Sequence, residues 1–234
     1  MAYTAVSFLN KFKEYCIKDM KQSGILASLT AAQGLIESNK GNSGLTTKAN
    51  NLFGIKGKYN GQSVSMLTTE YYNGVKTRVY QDFRKYPSWQ ESVNDHSAMF
   101  NRMSRYENLR NCQDYEEACL NVQKDGYATA IDPKTGKPNY ARTLMNPIKK
   151  YNLWMWDYEV LKLYSPEKLR TIRQGADGGG VYLLQMLLKE NGYKLSADGQ
   201  FGGETDYVLK AYQKKNGLVA DGICGQKTWK AIKK

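Results

Sequence analysis

Histidine occurs once in these 234 residues, at His96. That excludes a hydrolytic zinc site built on two or three histidines. A Cys–His nucleophilic pair would have to use His96, and nothing local to any cysteine points to such a pairing. The four cysteines, Cys16, Cys112, Cys119 and Cys224, lie at spacings foreign to zinc knuckles and redox motifs. They are expected as free, mostly buried thiols, and no metal or cofactor is expected. No apolar run approaches the ~18 residues of a membrane span, so membrane insertion is not expected. Met1-Ala2-Tyr3 leads into a polar, lysine-containing helix without a charged n-region, apolar h-region or small-residue cleavage site. Export by the general secretory route is therefore not expected. Runs of five or six basic residues are also missing, so a nucleic-acid-binding arm is not indicated.

What the chain does have is 41% hydrophobic residues, ample for a core in one large or two modest domains. Its 34 basic and 22 acidic residues leave a net charge of +12. Such a balance attracts polyanions: nucleic acid, anionic lipid or phosphate-rich wall polymers.

Hydrophobic spacing predicts helices over 7–22, 25–38, 88–103, 113–124 and 138–151. Between the second and third, residues 39–51 read as a Gly/Asn-rich loop. The segment 64–83 alternates Val, Thr and Tyr around Asn73-Gly74, a strong hairpin signal. A two-residue turn there places Tyr72 opposite Val75 and Glu70 opposite Thr77. Ser165-Pro166 marks a linker over 156–171 between a domain at 1–155 and another at 172–234. The second domain repeats D-G-x-x-G-x-x-T at 198–205 and 221–228, each copy an Asp-Gly turn feeding a helix. Three helices, 180–191, 203–216 and 225–233, follow from that pattern. It lacks a basic recognition helix, so groove binding to DNA is not expected. Its aromatics, Tyr193, Phe201, Tyr207, Tyr212 and Trp229, read mainly as core.

One carboxylate stands out. Glu37 ends the 25–38 helix, whose Ile25, Leu26, Leu29, Ala32 and Ile36 define an apolar face. At about 100° per residue it lies about 20° from Leu26 and about 40° from Gln33, pointing toward that face. Desolvation raises a carboxyl's pKa, a property that a general acid needs. Geometry alone leaves a blander reading ahead: a helix-edge glutamate, solvated or paired with Lys40 or Lys56.

Four blocks then carry a family resemblance: AAQGLIES at 31–38, NNLFGIKG at 50–57, TTEYYNG at 68–74 with FRKYPSWQESVNDH at 83–96, and GYAT at 126–129 with NYARTL at 139–144. Together and in this order they resemble glycoside hydrolase family 73, the N-acetylglucosaminidases that cut peptidoglycan. Residues 172–234 resemble the small peptidoglycan-binding module of wall hydrolases. The pair looks most like a phage or prophage endolysin of a Gram-positive host, made in the host cytoplasm and acting on the wall after release. Two departures stand out: Ser38 is followed by Asn39-Lys40-Gly41 where Gly or Trp is common, and the spacer after GYAT is stretched to AIDPKTGKPNYA.

The resemblance implies a mainly α fold: a lysozyme-like α+β catalytic domain with one small hairpin, then a three-helix bundle. It implies cleavage of the GlcNAc-β-1,4-MurNAc bond, with Glu37 as general acid and Glu70 as second carboxylate. Tyr127 of GYAT matches a family tyrosine near the scissile bond. Phe53, Tyr71 and Tyr72 fit a sugar-binding groove, while His96, Trp89, Trp154 and Trp156 read as structural. Peptidoglycan is the implied partner, with anionic wall polymers such as teichoic acids favoured by the charge. Two alternatives stay open: a muramidase or lytic transglycosylase cutting the MurNAc-β-1,4-GlcNAc bond, and a non-catalytic wall-binding protein.

Overall fold

The computed structural model describes residues 2–72, 75–128, 131–132 and 135–234, and their side chains except at 70–72, 75 and 76. Helix α1 (Ala5–Ser23) opens on a reciprocal Thr4/Ser7 capping box and closes on Gly24 in the left-handed region. Helix α2 (Ala27–Glu37) is the central element, buried along Ala27 to Leu35. Its small residues make that burial possible. A Cβ on Gly34 would lie 2.4 Å from the Phe12 ring, so α1 crosses α2 at a distance that only glycine permits.

The start of α2 has no local cap, because Leu26 offers no acceptor. Asp157, on α7 (Trp154–Leu161), supplies one instead: its Oδ1 accepts the Ser28 N–H at 2.9 Å. Both groups are buried. Desolvation pushes the Asp157 pKa up to about 7, against the lowering effect of these hydrogen bonds. Residues 156–161, assigned above to a linker, are thus helix and core. Trp156, Val160 and Leu161 pack with the rest of the first domain.

The expected loop at 39–51 contains a short helix, α3 (Gly44–Ala49), capped by Ser43. Strands β1 (Ser63–Tyr72) and β2 (Val75–Arg84) then pair antiparallel. Glu70 stands opposite Thr77 and Tyr72 opposite Val75, the register expected of a two-residue turn. The Asn73-Gly74 turn itself lies outside the described residues. The base of this two-stranded sheet is anchored on α4 (Trp89–Arg102): Arg84 Nη1 donates to Asp95 Oδ1 at 2.7 Å and Tyr86 Oη to Asp95 Oδ2 at 2.6 Å. The Asn50-Asn51 pair is part of the same anchor. Asn51 Nδ2 donates to the carbonyls of Ile55 and Arg84, and Asn50 Nδ2 to that of Tyr86.

Helices α5 (Tyr115–Lys124) and α6 (Tyr140–Lys150) complete the first body, α6 lying along α2. The second body comprises α8 (Gly179–Glu190), α9 (Gly203–Lys215) and α10 (Gln226–Ile232). Its sequence repeat has a structural cause. Gln185 Nε2 donates to Asp198 Oδ1, the Gln200 carbonyl and Thr205 Oγ1, each at 3.0 Å. Gln213 Nε2 meets Asp221 Oδ1, the Ile223 carbonyl and Thr228 Oγ1 in the same way. Each buried glutamine therefore staples one Asp-Gly turn to the helix that follows. Tyr207 departs from its expected core role and is 75% exposed.

The two bodies meet along α7 and α8. A Cβ on Gly179 would come within 2.7 Å of the Tyr158 nitrogen, so the helices touch backbone to backbone. All four cysteines are buried and unpaired. Among the described residues no helix is long and apolar enough to cross a membrane.

Candidate active site

Glu37 is the last residue of α2 and is exposed at the protein surface. The expectation that it points into the apolar side is corrected to this extent: the helix face is buried, but the final residue emerges from it. Protein still crowds the carboxyl closely enough to displace much of its water. Desolvation raises its pKa, and a hydrogen bond from Tyr140 Oη to Oε1, 2.8 Å long, holds that rise in check. The negative pole of the α2 dipole acts in the same direction as desolvation. The result is a carboxyl biased toward its protonated form yet reachable from outside. A general acid needs both properties.

The turn that follows is tightly held. Ser38 Oγ donates to the Gly34 carbonyl and accepts the Gly41 N–H at 2.6 Å. Gly41 packs against Phe8 and Trp89 so closely that a Cβ would lie 2.9 Å from the Phe8 ring. Pinned at both ends, Asn39 and Lys40 adopt left-handed φ angles of 49° and 59°.

Behind the carboxyl runs a file of aromatic rings. Tyr140, at the start of α6, accepts a 3.3 Å hydrogen bond from Gln33 Nε2 while donating to Glu37. Its ring is near-parallel to that of Tyr127, with centroids 5.7 Å apart. The Tyr127 hydroxyl lies 3.3 Å from His96 Nε2, and His96 in turn stacks on Phe53 at 3.9 Å. His96 is wholly buried, and desolvation pushes its pKa down to about 3. It is neutral at physiological pH and closed to any substrate, in keeping with its structural reading.

The structure brings Glu37 and Tyr127 to one place, through Tyr140. The Tyr127 hydroxyl turns inward to His96, so this tyrosine supports the site from behind. Phe53 is corrected in role. It is 6% exposed with one face against His96, and it is therefore no open platform for a sugar. The side chains of Glu70, Tyr71 and Tyr72 lie outside the described residues; their backbone places them near the end of β1. Tyr140 and Gln33 escaped the sequence reading. The signal was present: Gln33 precedes Glu37 by one helical turn, and Tyr140 lies in the NYARTL block, but neither identity states that they meet.

A helical body carrying one two-stranded hairpin, with a carboxyl of raised pKa at the end of its central helix, is in keeping with a lysozyme-like glycoside hydrolase. The comparisons with known proteins agree. Residues 13–153 match the glucosaminidase family, described as mannosyl-glycoprotein endo-beta-N-acetylglucosaminidase, and the chain belongs to that family. Residues 177–232 match a peptidoglycan binding domain. The exo-glucosaminidase LytG of Bacillus subtilis is 36% identical over 157 residues, 65% of this chain and 53% of that protein. The autolysin of Enterococcus faecalis is 31% identical over 226 residues, covering 93% of this chain but 27% of its own length. The chain thus spans about half or less of these relatives. Among solved structures, the catalytic domain of the Listeria monocytogenes autolysin Auto superposes with a TM-score of 0.59 at 32% identity, covering 67% of this chain and 90% of that one. The glycoside hydrolase domain of Salmonella typhimurium FlgJ gives 0.52 at 30%, covering 64% and 98%.

Proposed function

We propose that this chain hydrolyses the GlcNAc-β-1,4-MurNAc bond of peptidoglycan as an endo-β-N-acetylglucosaminidase, acting at the cell wall. The observation that carries the reading is the Glu37 carboxyl, raised in pKa by desolvation, exposed at the end of α2 and hydrogen-bonded by Tyr140. In this mechanism Glu37 delivers its proton to the glycosidic oxygen as the bond to the anomeric carbon breaks. A water molecule then adds to that carbon and loses a proton to the second carboxylate, Glu70. Tyr71 and Tyr72, next to Glu70 in sequence, are the proposed sugar-binding residues. Tyr127 acts indirectly, through the ring it stacks on Tyr140.

In the same reading, the first body, up to the end of α7, carries the catalysis and 172–234 hold the polymer. The net charge of +12 adds attraction to anionic wall polymers such as teichoic acids. Purified peptidoglycan should be digested, borohydride-reduced and analysed by mass spectrometry. New ends that are N-acetylglucosaminitol support the proposal. Muramitol or anhydro-muramic ends would replace it with a muramidase or transglycosylase. No cleavage by wild type would favour a wall-binding protein.

A further inference from the structure

At the C-terminal end of α2, lined by residues before and after Glu37 in sequence, lies a groove of about 350 Å³ that the mechanism above leaves unused. It falls within the ~300–1,000 Å³ typical of small-ligand sites. Leu35, Ile36, Pro147 and Tyr151 line its apolar part, and Lys40 and Lys150 contribute ammonium groups. Ile36 and Asn39 flank Glu37 on α2 and its turn, while Pro147 and Lys150 lie on α6, the helix that carries Tyr140. The groove is therefore built on the same two elements that fix the general acid. Both lysines are exposed, and among the described residues neither has a carboxylate partner. Lys150 Nζ lies 5.3 Å from the centroid of the Tyr151 ring.

The backbone at Lys40 is the second observation. Its φ of 59° is one that an unbranched or branched side chain resists and glycine accepts freely. The turn between Ser38 and Gly41 imposes that angle, yet the position holds a lysine whose side chain reaches the groove. Strain kept at such a place points to use of the side chain.

We infer that this groove binds the acidic stem peptide carried by the glycan strand on which Glu37 acts, Lys40 and Lys150 pairing with its carboxylates and the apolar floor taking its alkyl groups. The inference rests on the peptidoglycan reading above. It makes peptide substitution of the sugar a determinant of where the strand is cut.

The test compares two polymers, both freed of teichoic acids: intact peptidoglycan, and the same strands stripped of stem peptides by an amidase. The quantity read is the ratio of kcat/KM on the first to that on the second, for wild type and for Lys40→Gly/Lys150→Gln. Removing two exposed ion pairs should lower that ratio about 5–10-fold. Lys40→Gly alone should lower it in part while leaving the melting temperature equal or higher, since glycine relieves the strain. A ratio unchanged in the double variant overturns the inference, as does an equal loss on both polymers. If wild type cuts neither polymer, or leaves no N-acetylglucosaminitol ends, the underlying reading fails instead.

Discussion

Replacing Tyr140 by phenylalanine removes one oxygen and leaves the ring stacked on Tyr127 in place. What is lost is the 2.8 Å hydrogen bond to Glu37 Oε1 and the acceptor for Gln33. A hydrogen bond to a charged group is worth ~1.5–3 kcal/mol net. Glu37 is open to water on one side, which replaces part of that, so ~1–1.5 kcal/mol remains. Where the bond orients the acid for proton delivery, that is a loss of about 5–12-fold in kcat. The sign of the pH effect follows from the two opposing causes. Desolvation raises the Glu37 pKa and Tyr140 lowers it, so removing the hydroxyl leaves desolvation unopposed. A general acid works protonated and fails as pH rises through its pKa. The basic limb of the kcat/KM profile should therefore move to higher pH in Tyr140→Phe while the maximum falls. Steady-state turnover of a soluble glycan over a pH series reads both. A basic limb that stays fixed or moves down, or a loss as complete as that of Glu37→Gln, would refute the reasoning.

Other outcomes follow from the same structure. Glu70→Gln should lower turnover by orders of magnitude if a second carboxylate activates water; full retained activity, measured on the same glycan, would remove it from the mechanism. Asp157 and Asp19 are buried carboxyls with pKa values pushed up to about 7 and about 6. The folded state holds their protons where the unfolded chain has lost them, so their contribution is full below about pH 4 and fades as pH rises through 6 to 7. Thermal melts should show stability declining across that window, and Asp157→Asn should flatten the decline. Gln213→Ala strips the second Asp-Gly turn of its staple to Asp221, Ile223 and Thr228 and should cost about 2–4 kcal/mol in urea unfolding. Sedimentation with intact walls should weaken as salt rises from 50 to 500 mM if charge drives wall attraction, the Debye length falling below ~10 Å over that range.

Much of this molecule is legible along the chain because its signals are local. The Thr4/Ser7 box and the Ser88 and Asp114 caps sit where amphipathic spacing begins. The hairpin register follows from a two-residue turn, since a slip of one would turn every strand side chain over. Helix α7 is not legible in the sequence because its mixture of Trp, Tyr, Asp and Glu shows little one-sidedness, a pattern that arises when a short helix is touched from several sides.

The site divides along the same line. Glu37 at the end of its helix, the hairpin, the two Asp-Gly repeats and the excess of basic residues were all determined by the sequence itself, through periodicity, turn chemistry and charge. The partners were not. Tyr140 meets Glu37 across 103 positions, Asp157 caps α2 across 129, and Phe53 stacks on His96 instead of facing solvent. Burial, and with it the pKa of each of these groups, depends on what the remaining chain packs around them. Only the tertiary structure decides that, because desolvation and long-range hydrogen bonds exist only once distant segments are brought into contact.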